Sequence, residues 1–211
     1  MVWADGSSCF IECVRESAMQ PFYQGKIDNF CAMYAVLNAL QVLFSLTPHQ
    51  ARRIFNRALA AQAAEPETFR QILEHRTDYV SLVDFMLEDV RRHEFPDLRV
   101  SAPFGPDAPC DEVWEALRSS ARPPMPLVSV FRFLRVAPPS EKPYVDHWTV
   151  GHYMDMEGLH FLGCSLEAGA LFCLPYAKLT DSWRPLSREY VVIPPESVRI
   201  LSVSRYSGLP V

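Results

Sequence analysis

The chain has 211 residues, of which 49% are hydrophobic, enough apolar material for one domain with a substantial core. Its 20 lysine and arginine residues are offset by 25 acidic residues, which leaves a net charge of −5 at pH 7. No basic stripe with interleaved aromatic residues is visible in the sequence, so a nucleic-acid partner is not expected. The apolar stretch 30–46 is interrupted by Asn38, Gln41 and Ser45, which favours a core helix over a membrane span.

The N-terminal sequence "MVWADGSSCFIECVRES" lacks a basic segment followed by an apolar run. We therefore predict no signal peptide and a cytoplasmic location, with delivery into another cell as an effector left open. The 6 cysteines form no CxxC pair, so we expect reduced thiols. Cys9 and Cys13 have a spacing that a metal could use, but no second pair follows, and a metal there is the less favoured interpretation.

Helical patterns dominate the first half of the chain. Asp28 or Asn29 is a suitable N-cap for a helix that runs to about Phe44. Thr47-Pro48 and Pro66 each predict the start of a further helix, since proline is favoured in the first helical turn.

Two more helices are predicted before the composition changes, after Pro126, from helical to strand-like. The segment "YVSLVDFMLEDVRRH" has Leu82, Phe85, Met86 and Val90 at the spacing of a core-facing stripe. The loop "SAPFGPDAPC" is followed by "EVWEALRSS", a short amphipathic helix for which Asp111 is the predicted cap.

The segments after Pro126 have the composition of β-strands. "PLVSVFRFL" is rich in β-branched and aromatic residues, and "HWTVGHYM" and "LHFLGC" are joined by "DMEG", a hairpin turn with its glycine last. "ALFCLPY" and "EYVVIPPESVRILSVSR" bring the set to five or six short strands. Helices followed by an antiparallel sheet predict an α+β fold, with one domain over 1–211 that has a mainly helical lobe (1–120) and a mainly β lobe (121–211).

Cys31 and Gln24 are the first candidates for chemistry. Cys31 lies in the first turn of the predicted helix, where free N–H groups and the macrodipole favour a thiolate and lower the thiol pKa. The amide of Gln24, with the Cys31 backbone N–H, could stabilise an oxyanion. Considered alone, Cys31 is better explained as a small buried apolar residue of the core.

His147 supplies the base that a cysteine nucleophile needs, because it begins a predicted strand after a polar loop. Two hairpin registers are possible. A turn centred on Met156 places His147 opposite Ser165, whereas a Met156-Glu157-Gly158 loop places it opposite Glu167. Either partner could orient the imidazole.

The histidines 152 and 160 have an alternative interpretation. In the first register His152 faces His160, which favours a cross-strand polar pair over a zinc site. Cys164 shares their face, but it lies four residues, about 13 Å of strand, beyond His160. We therefore predict neither a metal nor any other cofactor.

The order of these segments resembles the papain-like cysteine proteases over about residues 20–173: a glutamine, "FCAMYAVLNAL" on a buried helix, then "DHWTVGHYMD" and "LHFLGCS" on a hairpin. "CAMYAVLNAL" is similar to the staphopain-type secreted bacterial proteases, and "DEVWEALRSSARPPMPLVSV" before "HWTV" is similar to bacteriocin-processing peptidases. A weaker likeness of "CA…LN…Q" is to Josephin-type deubiquitinases.

The resemblance implies a central helix that carries Cys31 as the nucleophile and packs on the antiparallel sheet, with His147 as general base and acid and Gln24 in the oxyanion hole. The chain departs from the family pattern in two places. Gln24 precedes Cys31 by seven positions rather than five or six, and the segment "LGCSLEAG" offers neither the Asn nor the Asp of the family's third position. Ser165 or Glu167 must substitute there, or the enzyme works with two groups, or it is inactive.

The resulting expectation is a thiol hydrolase that cleaves peptide or isopeptide bonds in a peptide or protein substrate through an acyl-enzyme. The alternatives are a catalytically silent papain-like module for protein binding and a Cys-His acyltransferase or deamidase. Trp148 and Asn29 are the candidates for substrate contact, although Trp148 could equally pack in the core. No nucleic-acid or membrane partner is expected, and the sequence leaves the oligomeric state open.

Overall fold

The computed structural model describes residues 22, 29–74, 76–121, 127–140, 142–162, 171–180 and 188–204. Gln24, Ser165, Glu167, Cys9, Cys13 and Cys164 lie outside these residues. The described part is α+β with an antiparallel sheet, which confirms the predicted fold class, although the first strand of the sheet precedes the last α-helix.

Five helices are formed by the described residues, and each lies where the sequence pattern predicts a helix. They are α1 (Cys31–Phe44), α2 (Pro48–Ala63), α3 (Pro66–Leu73), α4 (Tyr79–His93) and α5 (Cys110–Ser120). No helix among the described residues combines the length and apolarity that crossing a bilayer requires.

The predicted start of α2 at Thr47-Pro48 agrees with the structure, in which Thr47 is the N-cap. Thr47 Oγ1 accepts from the Gln50 N–H at 3.2 Å while Gln50 Oε1 accepts from the Thr47 N–H at 2.9 Å, a reciprocal capping box before α2. Two predicted caps are wrong. Phe30, not Asn29, is the N-cap of α1, and Pro109, not Asp111, is the N-cap of α5.

Seven strands form one sheet in the order β1-β7-β2-β3-β4-β5, with β6 also paired to β2. All six pairings between these strands are antiparallel. The strands are β1 (Leu98–Ser101), β2 (Val128–Val136), β3 (Val145–Met154), β4 (Leu159–Leu162), β5 (Leu171–Leu174), β6 (Tyr190–Val192) and β7 (Arg199–Val203). The strand β1, which pairs with β7 along its full length, was not predicted from the sequence.

The two faces of β2 and β3 enter different apolar clusters, because successive strand residues point to opposite faces. Val130, Trp148 and Val150 join the helices in the main cluster around α1. Phe131 and Phe133 face the other way, into a second cluster with β4, β5 and α5. The main cluster therefore includes side chains of both the helical and the β part of the chain.

The predicted core stripe of α4 is right for three of its four residues. Leu82, Met86 and Val90 are buried, whereas Phe85 is 40% exposed. Val83 and Leu87 are buried instead, so the buried stripe of α4 is turned slightly from the predicted one.

Candidate active site

Cys31 is the first residue of α1, and its side chain is 3% exposed within the main apolar cluster. The backbone N–H of Trp148 on β3 donates a hydrogen bond to its sulfur. That N–H belongs to the peptide that joins His147 to Trp148. The fold therefore brings the sulfur of the predicted nucleophile beside the backbone of the predicted base.

The direction of the Trp148 N–H follows from the β2–β3 pairing. Arg132 and Trp148 are directly opposed, and the Arg132 N–H donates to Ser197 Oγ at 3.1 Å rather than across to β3. In an antiparallel ladder this makes Arg132–Trp148 a pair without mutual hydrogen bonds, so the Trp148 N–H points away from β2. The Cys31 sulfur accordingly lies on the side of β3 that faces away from β2.

His147 and Trp148 project to opposite faces of β3 at this point. The Trp148 indole is 1% exposed in the main cluster, so it packs in the core and does not wall a cleft. The His147 ring is half-buried and meets the Phe133 ring edge to face, with centroids 6.0 Å apart. His147 thus lines the second cluster, while its backbone is shared with the Cys31 site.

A cavity of about 330 Å³ opens beside the His147 ring. Its floor is mainly apolar, with Phe133, Phe161, Leu174 and Val191, and its charged lining residues include Glu189. This volume is at the lower end for ligand pockets, and the apolar floor is accompanied by the charged side chains of Arg135, Lys178 and Glu189.

The thiol of Cys31 is protonated in this arrangement, because burial raises its pKa to about 11. The Trp148 N–H and the Ala32 N–H in the first helical turn act in the opposite direction, since both stabilise the thiolate. The prediction that the helix start lowers the pKa of Cys31 is therefore wrong for its net effect, because burial outweighs the helix end.

An ion pair that sequence reasoning missed lies on the same face as the Trp148 indole. Arg132 donates to both carboxylate oxygens of Asp146, at 2.7 and 2.6 Å. Asp146 raises the pKa of Cys31 and Arg132 lowers it, so the two charges act on the thiol with opposite signs. The sequence did contain a signal: "FRFLR" places charged residues inside a strand that is otherwise apolar.

Tyr79 of α4 is a second missed neighbour. Its hydroxyl lies 3.4 Å from both the Asn29 and the Ile72 carbonyl oxygens, and burial and the nearby Cys31 raise its pKa. Asn29, proposed from the sequence as a substrate contact, donates its side-chain amide to the Leu73 carbonyl at 2.7 Å. In this structure Asn29 thus joins the start of α1 to the end of α3.

The predicted His152–His160 pairing is wrong. Gly151 pairs with Phe161, but a bulge after Gly151 shifts the register by one, and His160 pairs with Tyr153. The two rings stack with centroids 4.2 Å apart. The turn residues Asp155-Met156-Glu157-Gly158 are as predicted, with Gly158 at φ 151°.

Neither a protein-family model nor a curated protein matches this sequence.

Proposed function

We propose that the protein is a papain-like thiol hydrolase in which Cys31 attacks a peptide or isopeptide carbonyl and His147 acts as base and acid. One observation carries the proposal: the Cys31 sulfur, at the start of a buried helix, accepts a hydrogen bond from the peptide that links His147 to Trp148. The sulfur of Cys31 thus lies beside the backbone of His147, a residue 116 positions later in the sequence.

The protonation state of the Cys31 thiol indicates when its proton is transferred during the reaction. With its pKa raised to about 11 by burial, Cys31 is a neutral thiol at pH 7. His147 therefore removes the proton as the sulfur attacks the carbonyl carbon, and no preformed thiolate is required. The same imidazole then gives the proton to the leaving amine, and water hydrolyses the thioester that remains.

The cavity beside His147 is the proposed binding site for the substrate. Its floor of Phe133, Phe161, Leu174 and Val191 suits an apolar side chain of a peptide or protein substrate. The oxyanion of the tetrahedral intermediate is assigned to the Cys31 backbone N–H and to the amide of Gln24.

The test uses a set of peptidyl vinyl sulfones that differ in their apolar side chain, with the modified residue identified by mass spectrometry. We expect a single adduct on Cys31 and none on the Cys31→Ala variant. His147→Ala should slow adduct formation by about 10²- to 10⁴-fold, the usual contribution of a general base.

Cys110→Ala is the matched control, since this thiol is more exposed and lies outside the site. It should leave the rate unchanged. Adducts on Cys110 or Cys173 with Cys31 unmodified, or an unchanged rate for His147→Ala, would overturn the proposal.

A second candidate function is a catalytically silent papain-like module that binds a protein. It is favoured by the 3% exposure of Cys31 together with its raised pKa, both of which suit a packing residue. Under this hypothesis Cys31 takes no adduct from any vinyl sulfone in the set, and Cys31→Ala changes only the stability of the fold.

A further inference from the structure

A group of metal-binding side chain types meets at the β3–β4 hairpin, where β5 lies beside β4. The potential ligand atoms of Glu157, His160 and Cys173 all lie within 4.8 Å of one another. His160 and Cys173 are directly opposed across the β4–β5 pairing, so their side chains share one face of the sheet. Asp155 adds a fourth group, with its Oδ2 3.0 Å from His160 Nε2.

The turn holds the two carboxylates in place. Asp155 Oδ1 accepts hydrogen bonds from the backbone N–H groups of Glu157 at 2.9 Å and Gly158 at 3.2 Å, which directs Oδ2 toward the imidazole. Gly158 has φ 151°, and a Cβ there would lie 2.2 Å from the Leu174 carbonyl oxygen. Only glycine lets the turn approach β5 this closely.

His160 is the buried member of the group. It is 8% exposed, and its ring is held flat against Tyr153 by the register shift that follows Gly151. Its Nε2 is buried and lies 3.0 Å from Asp155 Oδ2, with which it forms an ion-pair contact. A nitrogen lone pair and a carboxylate oxygen at this distance can be satisfied together by one shared cation.

Cys173 lies near the carboxylates of Asp155 and Glu157, and partial burial together with these two charges raises the pKa of its thiol. Both carboxylates would attract a divalent cation to the same place.

We propose that Glu157, His160 and Cys173, with Asp155, bind one divalent transition-metal ion, for which zinc is the best match. A thiolate and an imidazole select zinc and its neighbours over magnesium and calcium, and one or two carboxylates complete a four-coordinate shell. The ion would join the hairpin turn to β5 through side chains of both elements. The set differs from the one considered from the sequence, His152, His160 and Cys164, because Cys173 is directly opposed to His160 across the β4–β5 pairing.

The test is a titration of the full-length, reduced, chelator-treated protein with Co²⁺, followed by displacement with Zn²⁺. We expect one equivalent of Co²⁺ to produce a thiolate-to-metal charge-transfer band, and Zn²⁺ to abolish it. Cys173→Ser should remove the band. It should also weaken Co²⁺ binding at least as much as the loss of an outer-shell partner does, about 10- to 100-fold.

Two further variants keep the test decisive. Glu157→Gln changes an exposed side chain, so the fold is preserved and only metal affinity should fall. Cys110→Ser removes another thiol and should leave the band intact. No saturable charge-transfer band in the unmodified protein, or a band that survives Cys173→Ser, would overturn the proposal and leave His160 and Asp155 as an ordinary ion pair.

Discussion

The backbone N–H of Trp148 donates to the sulfur of Cys31, and this single contact joins the start of the central helix to the strand that bears His147. The direction of this N–H follows from strand pairing. The backbone N–H of Arg132, which lies opposite Trp148, donates to Ser197 Oγ, so the Trp148 N–H points away from β2. Burial is the main cause of the raised pKa of Cys31, and the charges of Asp146 and Arg132 modify it with opposite signs.

Asp146→Asn should lower the pKa of Cys31, because the Asp146 carboxylate raises it and the neighbouring Arg132 would then act unopposed. At pH 8 we expect iodoacetamide to alkylate Cys31 about 3- to 10-fold faster, a pKa change of one unit being tenfold in thiolate. Mass spectrometry of Cys31 over a pH series measures the shift.

Arg132→Gln is the matched counterpart and should raise the pKa of Cys31, since the guanidinium lowers it. Alkylation of Cys31 should then be slower than in the unmodified protein at the same pH. Rates that change in the same direction in both variants would show that access to the thiol, not charge, controls its reactivity.

Asn38→Ala should destabilise the fold by about 2–3 kcal/mol, because two hydrogen bonds to a partly buried backbone are lost. The Asn38 amide is fully buried in α1, accepts from the Phe22 N–H at 2.7 Å and donates to the Phe22 carbonyl at 3.0 Å. Urea unfolding measures the change. Val42→Ala, at a residue 41% exposed on the same helix, should stay within about 0.5 kcal/mol, and an equal loss in both variants would contradict the argument.

Asp84→Asn should cost about 1–3 kcal/mol, because it leaves the charge of Arg199 buried without its carboxylate partner. Arg199 is 4% exposed and donates to both oxygens of Asp84, at 2.5 and 2.7 Å, which links α4 to β7. Half of the Asp84 side chain is exposed, and solvent screening keeps the cost below that of a fully buried pair. Thermal unfolding should show no such loss for Asp107→Asn, an exposed loop residue.

Glu189→Gln should reduce the dependence of the free energy of unfolding on pH in the acid range. The Tyr144 hydroxyl, and then Arg135, hold the pKa of Glu189 below its usual 4.5. A carboxyl whose pKa is lower in the folded state stabilises the protein above the unfolded value, and this contribution is lost as the pH falls through the folded value.

The variant should therefore be less stable at pH 7 and should lose less stability between about pH 5 and about pH 3. Urea unfolding at a series of pH values measures the slope. Glu112→Gln, at an exposed glutamate of α5, serves as control, and an unchanged slope in Glu189→Gln would refute the assignment.

The sequence predicts helix starts and turns wherever a few neighbouring residues decide the backbone conformation. The Thr47–Gln50 capping box and the turn that ends in Gly158 both follow from hydrogen bonds and backbone sterics within four residues. The apolar body of α1, with Cys31 at its start, was predicted in the same way.

The bulge after Gly151 was not predicted, although a glycine inside the strand pattern "HWTVGHYM" is a recognised sign of one. A Cβ at Gly151 would lie 2.3 Å from Ser129 Oγ, so a larger residue there would require the Ser129 side chain on the neighbouring strand to move. The one-residue shift then decides which side chain His160 meets.

The sequence by itself determined which chemical groups exist, a thiol at a helix start and a histidine at a strand start, and in which elements they lie. Only the tertiary structure decided their state, because burial raises the pKa of Cys31 where the helix end alone would lower it. It also decided which groups meet: Asp146 and Arg132 lie near Cys31, and Cys173 lies opposite His160 at the β3–β4 hairpin. Ionisation and contact depend on what packs against a group from distant parts of the chain, and no local pattern encodes that.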